Sequence, residues 1–354
     1  MSFDLRQLRY FVAVAEERHF GRAAVRLSMT QPPLSQQIMS LEEALGAALF
    51  ARTRRSVELT PVGRDLLPEV RQLLALADGL PARAQSLARG EAGELSLAFV
   101  STADYGLLPP LMRAFTEHHP GVRLQLVEST SDIQVEELVA GRIDAGLMIP
   151  PVPPRHAGRL GYLPLMREPL VVAMSDETAR WLDAWLVANE SSKGTGADRT
   201  NERADHAGRA DPADYSGENS KAADPSDTDA WGLQAAVPLS ALADLPLVIF
   251  PRRLAPAFYD IIMDSYARAG LTPRIGQEAI QMQTIVSLVS AGMGVALVPR
   301  SLCNLRRTGV VYRALRDAQP VVETGLLWRA DDVSPVLAGF IEVAKAWRDR
   351  AATA

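Results

Sequence analysis

The spacing of apolar residues changes character at Gly93, and no single core accommodates both halves of the pattern. Upstream, apolar side chains recur every three or four residues, as in Leu5, Leu8, Phe11, Val12 and Ala15, and again in Leu34, Ile38, Leu41 and Leu45. That is the period of amphipathic helices, each with one face turned to a core. Downstream, Leu95, Leu97 and Phe99 alternate, a helical run from Tyr105 to Glu117 follows, and Val122, Leu124 and Leu126 alternate again. A helix from about Asp132 to Ala140, stopped by Gly141, then precedes a strand with Ile143, Ala145, Leu147 and Ile149. Strands alternating with helices define an α/β domain. With 354 residues, 47% of them hydrophobic, the chain has material for at least two cores.

Within the helical part, the spacing predicts a helix over 4–17, a short second helix carrying Ala23, Ala24 and Leu27, and a turn at Ser28 and Met29. Thr30 is placed to cap a third helix. Its first turn tolerates Pro32 and Pro33 because the N–H groups there have no intrahelical partners. Gly46 ends that helix as a left-handed cap. Phe50 to Leu59 reads as a small hairpin whose tip, Arg52-Thr53-Arg54-Arg55, is the densest positive charge in the chain.

Two helices joined by a tight turn, followed by an arginine-tipped hairpin, is the arrangement by which a short helix enters the major groove. With Leu34, Ile38, Leu41 and Leu45 inward, Gln31, Ser35, Gln36 and Ser40 face outward and Gln37 lies at the margin. Glutamine pairs bidentately with adenine, serine reads a base or a phosphate, and the hairpin arginines contact phosphates or the minor groove. The candidate DNA-contacting set is therefore Thr30, Gln31, Pro32, Pro33, Ser35, Gln36, Gln37 and Ser40 on the helix, with Arg52, Arg54 and Arg55 on the hairpin. An ordinary helical subdomain with a polar face has the same spacing. The net charge of -5 does not decide the matter, since residues 1–65 carry nine arginines against seven acids, about +2, and the acidity lies elsewhere.

Thr60-Pro61 signals another helix start. Leu66, Val70, Leu73, Ala77, Leu80, Ala84 and Leu87 then form a heptad seam suited to helix pairing, although a lone amphipathic helix shows the same steps. Gly79 and Pro81 predict a break in that helix, with pairing stopping near Gly79. Further on, residues 189–229 contain no Val, Ile, Leu, Phe or Met, and the expectation is a disordered insertion that buries too little surface to offset its ordering entropy.

Enzymatic constellations are not found. The five histidines (19, 118, 119, 156 and 206) have no HExxH spacing, G-x-S-x-G does not occur, and Gly292-Met293-Gly294 precedes a strand instead of a helix. A single cysteine, Cys303, excludes an internal disulfide and a cysteine-cluster metal site. No stretch approaches the roughly 18 apolar residues of a membrane span, and the N-terminus carries Asp4, Arg6 and Arg9 where a signal peptide would be apolar. A cytoplasmic protein that is not an enzyme, needs no cofactor and makes no membrane contact is expected.

The string from Leu5 to Gly63, LRQLRYFVAVAEERHFGRAAVRLSMTQPPLSQQIMSLEEALGAALFARTRRSVELTPVG, closely resembles the DNA-binding domain of LysR-type transcription regulators. The likeness includes the FVAVAEE helix, the TQPPLSQQI segment, the LF-x-R wing and the LT-x-x-G start of a linker helix. Gln36 departs from it, since many members carry arginine there, which points to a different base preference. GELSLAFVSTADYGLLPPLMRAF, HPGVRLQLVE, LVAGRIDAGLMI and SLVSAGMGVALVP are similar to landmarks of the family's effector domain, whereas 189–229 matches nothing in it.

The resemblance implies α/β architecture with a helical, winged helix-turn-helix at 1–60, a long linker and dimerisation helix at 61–90, and a two-lobed effector-binding domain at 91–350. The lobes are expected at about 91–167 with 277–350, and at about 168–276. It also implies a ligand cleft between lobes, where Ser101, Thr102 and Ser131 fall at helix starts that accept an anion. Phe250 and Pro251 resemble the opposite wall, with Arg252 or Arg253 available to a carboxylate. Each of these residues is also readable as a plain cap or a solvated charge. The implied partners are double-stranded DNA bearing an interrupted palindrome, a small organic effector, RNA polymerase, and further copies of the chain in a homodimer or homotetramer. A second reading, from another class, is a cytoplasmic small-molecule-binding protein with no regulatory DNA role.

Overall fold

The computed structural model describes residues 3–52, 57–156, 158–193, 233–316 and 319–351, and the chain divides into two compact units, Met1–Arg89 and Gly90–Ala354. No helix among the described residues is long and apolar enough to cross a membrane.

The first unit opens with helix α1 (Leu5–Glu17). The Asp4 carboxylate accepts from the Gln7 N–H at 2.8 Å and Gln7 Oε1 accepts from the Asp4 N–H at 3.1 Å, a reciprocal capping box. His19 caps α2 (Phe20–Arg26), its Nδ1 accepting from the Gly21 and Arg22 N–H groups. Ser28, at φ 55°, turns the chain into α3 (Gln31–Leu45), which ends at Gly46 in the left-handed conformation. Thr30 occupies the cap position of α3, yet its side chain makes no cap bond. The reason is local: a cap side chain accepts from the second or third helical N–H, and these belong to Pro32 and Pro33, which have none.

Strands β1 (Phe50–Arg52) and β2 (Val57–Leu59) pair antiparallel, with Phe50 opposite Leu59. The Phe50 ring lies edge-on to Phe11 and Phe20, with centroids 5.5 and 5.9 Å away, so the hairpin closes the core made by Leu34, Ile38 and Leu41. Helix α4 (Pro61–Ala88) begins at Thr60, whose Oγ1 accepts from the Gly63 N–H and donates to the Ala48 carbonyl. It is helical through Pro68 and Pro81, so the break expected at Gly79 does not occur. Both prolines are exposed, and the carbonyls they leave unpaired are free to be solvated. Val70 and Leu74 are buried in the first unit's core, so the first half of α4 belongs to that unit instead of forming a separate linker.

The second unit holds strands β3 (Ala92–Phe99), β4 (Gly121–Glu128), β5 (Ala145–Met148), β6 (Leu160–Ser175), β7 (Gln234–Val237), β8 (Pro246–Ile249), β9 (Arg274–Glu278), β10 (Ala296–Pro299), β11 (Val310–Leu315) and β12 (Val321–Arg329). Helices α5 (Leu108–His118), α6 (Ser131–Val139), α7 (Asp176–Lys193), α8 (Pro256–Arg268), α9 (Met282–Ser290) and α10 (Pro335–Ala351) lie between or after them. The main sheet runs β4-β3-β5-β12-β6-β11-β7, with β10 also against β6, while β8 pairs parallel with β9.

Two lobes share this sheet through β6 and β12. The first half of β6 pairs with β12, and its second half, from Leu170 to Ser175, pairs with β10 and β11. The return to the first lobe therefore falls at Val321. The expected return at 277 is incorrect, because α9, β10 and β11 all lie with the second lobe, held by register to the far half of β6. Helix α7 also continues through residues 189–193, the start of the segment expected to be disordered, and 194–229 fall outside the described residues. Asp183 on α7 accepts both terminal nitrogens of Arg313 on β11, at 2.5 and 2.8 Å, with Arg313 only 2% exposed.

A Cβ at Gly63 would lie 2.2 Å from the Leu49 carbonyl oxygen, which is main chain and cannot rotate away. Gly63→Ala should cost about 1–3 kcal/mol, seen as a lower denaturant midpoint for the full chain, whereas Gly79→Ala, with open space around it, should not lower the midpoint.

Candidate nucleic-acid interface and effector site

The buried stripe of α3, Leu34, Ile38 and Leu41, turns the opposite face of that helix outward. Thr30, Gln31, Pro32, Pro33, Gln36, Gln37 and Ser40 are exposed, and Ser35 is half-buried. Met39, not singled out from sequence because apolar residues on helices are usually core, is exposed beside them. One member of the row is held by another helix: Gln7 of α1, itself buried, donates from Nε2 to Gln37 Oε1 at 3.2 Å. No sequence signal marks that bond, which joins residues thirty positions apart.

The wing is fixed to α3 by Glu42, whose Oε1 accepts from the Leu49 N–H at 2.7 Å and the Phe50 N–H at 3.0 Å. Arg54 and Arg55 lie outside the described residues, and Arg52 is described only as main chain in β1. Other arginines of the unit are engaged internally. Arg26 and Arg71 both bond Glu16 at 2.8 Å and, Arg71 foremost, hold its carboxyl below the usual range. Arg22 pairs with Glu17 and Arg9 with Asp78. These guanidinium groups are thus held within the fold.

In the second unit, β3 ends at a short 3-10 turn, Ser101–Tyr105, and α6 begins at Ser131. The Val100 N–H donates to the Leu147 carbonyl and the Ser129 N–H to the Phe99 carbonyl, so these starts gather at one edge of β3, β4 and β5. That edge is the carboxyl end of parallel strands, where open α/β sheets bind ligands. Ser131 Oγ accepts from the Ile149 N–H at 3.2 Å, leaving its own proton to donate. Thr102 is 4% exposed and its Oγ1 has no hydrogen-bond partner among the described residues. Ser129 Oγ and Gln134 Oε1 are likewise buried without partners, although Gln134 Nε2 donates to the Ser129 and Leu147 carbonyls. Gln134 was not anticipated from sequence, since its burial depends on the strands that close over α6.

The opposite wall is arranged differently from the expectation. Phe250 is core, edge-on to Phe258 at 5.7 Å, and Pro251 is buried. Arg252 makes a bidentate pair with Asp260, at 2.8 and 3.1 Å, and so already has a carboxylate; Arg253 is exposed. A link between the lobes lies elsewhere: Asn304 Nδ2, in the turn after β10, donates to the Tyr105 carbonyl at 3.0 Å. Burial, with Asp104 nearby, pushes the Tyr105 hydroxyl pKa up. A cavity of about 470 Å³ opens elsewhere, beside Glu168, Arg300, Ser301 and Trp347, and none of the predicted effector residues lines it.

A winged helix-turn-helix on one unit and a two-lobed α/β domain joined by paired crossover strands define an effector-controlled, DNA-binding transcription regulator. This chain belongs to the LysR family: residues 5–64 match the bacterial regulatory helix-turn-helix protein of the lysR family, and 88–185 with 225–349 match the LysR substrate binding domain. The match passes over 186–224, which overlaps the stretch lacking large apolar residues. The chain is 47% identical over 340 residues to the HTH-type transcriptional regulator IlvR of Caulobacter vibrioides, covering 96% of this chain and 97% of that one. It is 34% identical over 348 residues to AlsR of Bacillus subtilis, covering 98% and 97%. It is also similar to full-length CbnR complexed with its target DNA, with a TM-score of 0.65 and 27% identity across 98% of this chain and 100% of that one.

Removing the Glu42 carboxylate strands two main-chain donors at the base of the wing. Glu42→Ala should destabilise the first unit by about 1–3 kcal/mol, and hydrogen exchange at the Leu49 and Phe50 amides should rise above that of the parent.

Proposed function

We propose that this chain is a homo-oligomeric cytoplasmic regulator that reads an interrupted palindrome with α3 and the wing, and responds to a small organic anion bound at Ser101, Thr102 and Ser131. The observation that carries the effector site is the group of buried, unpartnered polar atoms, Thr102 Oγ1, Ser129 Oγ and Gln134 Oε1, at one strand edge. Each such atom costs about 1–3 kcal/mol unless something satisfies it. Donors from Thr102 and Ser131, beside the first turn of α6 where Thr130 makes no side-chain cap bond, suit a carboxylate. An effector regulates here only by favouring one arrangement of the lobes, since equal affinity for both shifts nothing. The reading involves no catalytic step, in keeping with relatives named as transcriptional regulators.

Oligomerisation is supported by α4. Leu66 is half-buried and Val70 buried on the unit's own core, but Leu73, Leu80 and Leu87, seven residues apart, are exposed, as is Leu76 at 75%. That is one heptad row, suited to the same helix of a second copy.

Two experiments test the reading. Ser35→Ala or Gln37→Ala should cost about 1–3 kcal/mol at a selected operator, while Arg54→Ala and Arg55→Ala should weaken binding to all sequences and flatten its salt dependence. Unchanged footprints and salt slopes in all four would sink the assignment of helix and wing. For the effector, a thermal-shift screen of organic acids on the parent supplies a hit. Thr102→Val, which keeps shape but removes the donor, should bind that hit about tenfold more weakly while operator affinity without effector is retained. Equal affinity in parent and variant would place the ligand elsewhere.

A further inference from the structure

The bond between Gln7 and Gln37 fixes more than a contact. A side-chain amide has a donor end and an acceptor end, and which end faces outward decides what a recognition helix reads. Gln7 is 8% exposed, and its Oε1 accepts from the Asp4 N–H at 3.1 Å. A main-chain N–H only donates, so flipping the Gln7 amide would set two donors against each other. Gln7 Nε2 is therefore the atom turned toward α3, and Gln37 meets it with Oε1, at 3.2 Å. Gln37 lies on the exposed face of α3, and with its Oε1 engaged, Nε2 is the end of its amide left to offer donors.

We infer that Gln7 is a positioning residue for DNA recognition, locking the Gln37 amide so that it presents hydrogen-bond donors to the major groove. This rests on the reading of Gln37 as a base contact. In the groove, guanine offers acceptors at N7 and O6 and thymine at O4, whereas cytosine N4 and adenine N6 are donors. A free glutamine turns to suit either kind of edge. One with its oxygen already engaged by Gln7 favours acceptor edges, above all guanine, and discriminates against a base pair presenting a donor at the same place. The lock belongs to the N-terminal cap of α1: the Asp4 backbone sets Gln7, and Gln7 sets Gln37. A change at the N-terminus of α1, remote from the outward face of α3, thus acts on base preference.

The test is selection from a randomised double-stranded DNA library by the full-length protein, comparing the parent with Gln37→Ala, Gln7→Glu and Gln7→Met. Gln37→Ala identifies the base pair concerned, as the position whose preference flattens. Gln7→Glu keeps an oxygen for the Asp4 N–H but offers Gln37 only an acceptor, so the Gln37 amide must turn its nitrogen inward and its oxygen to the groove. At that base pair the parent's preference for an acceptor edge, about tenfold or more, should invert toward a donor edge, with other positions unchanged. Gln7→Met fills the same space without polar atoms and should only broaden the preference there, which keeps the inference testable if Gln7→Glu fails to fold. A purely structural role for Gln7 would lower affinity and thermal stability without moving the preferred base. If Gln37→Ala flattens a position and the Gln7 variants leave it as in the parent, the inference about Gln7 is overturned. If Gln37→Ala flattens no position, the reading of Gln37 itself is overturned.

Discussion

Strand β6 is the constraint on which the effector domain depends. Its first half is bonded to β12 and its second to β10 and β11, so one continuous strand belongs to two lobes and limits how they move. The connection is reinforced where β6 passes between them. Glu168, buried on β6, accepts from the Ser301 N–H at 2.7 Å and from its hydroxyl at 3.1 Å, tying the crossover to the turn after β10. Burial pushes the Glu168 carboxyl pKa up, with the two Ser301 bonds opposing that shift. A further bond, from Asn304 Nδ2 in the turn after β10 to the Tyr105 carbonyl at 3.0 Å, also joins residues of the two lobes.

The DNA-binding unit is held together differently. Three aromatic rings converge where the hairpin meets the helices, and Glu42 bonds the main chain entering β1. Helix α3 and the start of β1 are joined by these two bonds, and in DNA-binding domains phosphate contacts set the register of base contacts. Arg22, Arg26 and Arg71 are paired with Glu16 and Glu17 within this unit. On the proposed reading, base preference rests on amides and hydroxyls of α3, and the orientation of Gln37 by Gln7 matters as much as its presence.

The candidate effector edge shows the opposite economy. Thr102, Ser129 and Gln134 each keep a buried polar atom without a partner among the described residues, and these three lie together at the strand ends, whereas the Tyr266 and Tyr312 hydroxyls in the same condition lie on α8 and β11. Such atoms are tolerated where a ligand or water completes them.

Local order was legible in the sequence. Helical periodicity placed α1, α3 and α4, alternation placed β3 and β4, and Gly46 marked the end of α3, because each follows from the geometry of a few neighbouring residues. Two local readings were modified for local reasons: Thr30 takes the cap position but meets prolines that have no N–H for its side chain, and Pro81 sits on an exposed helix face that accommodates it. What only the tertiary structure decided was pairing across long separations. The return at Val321, the engagement of Arg252 by Asp260, the burial of Gln134 and the bond from Gln7 to Gln37 all depend on which elements the fold brings together. A sequence read one window at a time specifies the direction of each side chain relative to its own helix or strand, and the partner it meets is fixed only when the elements pack.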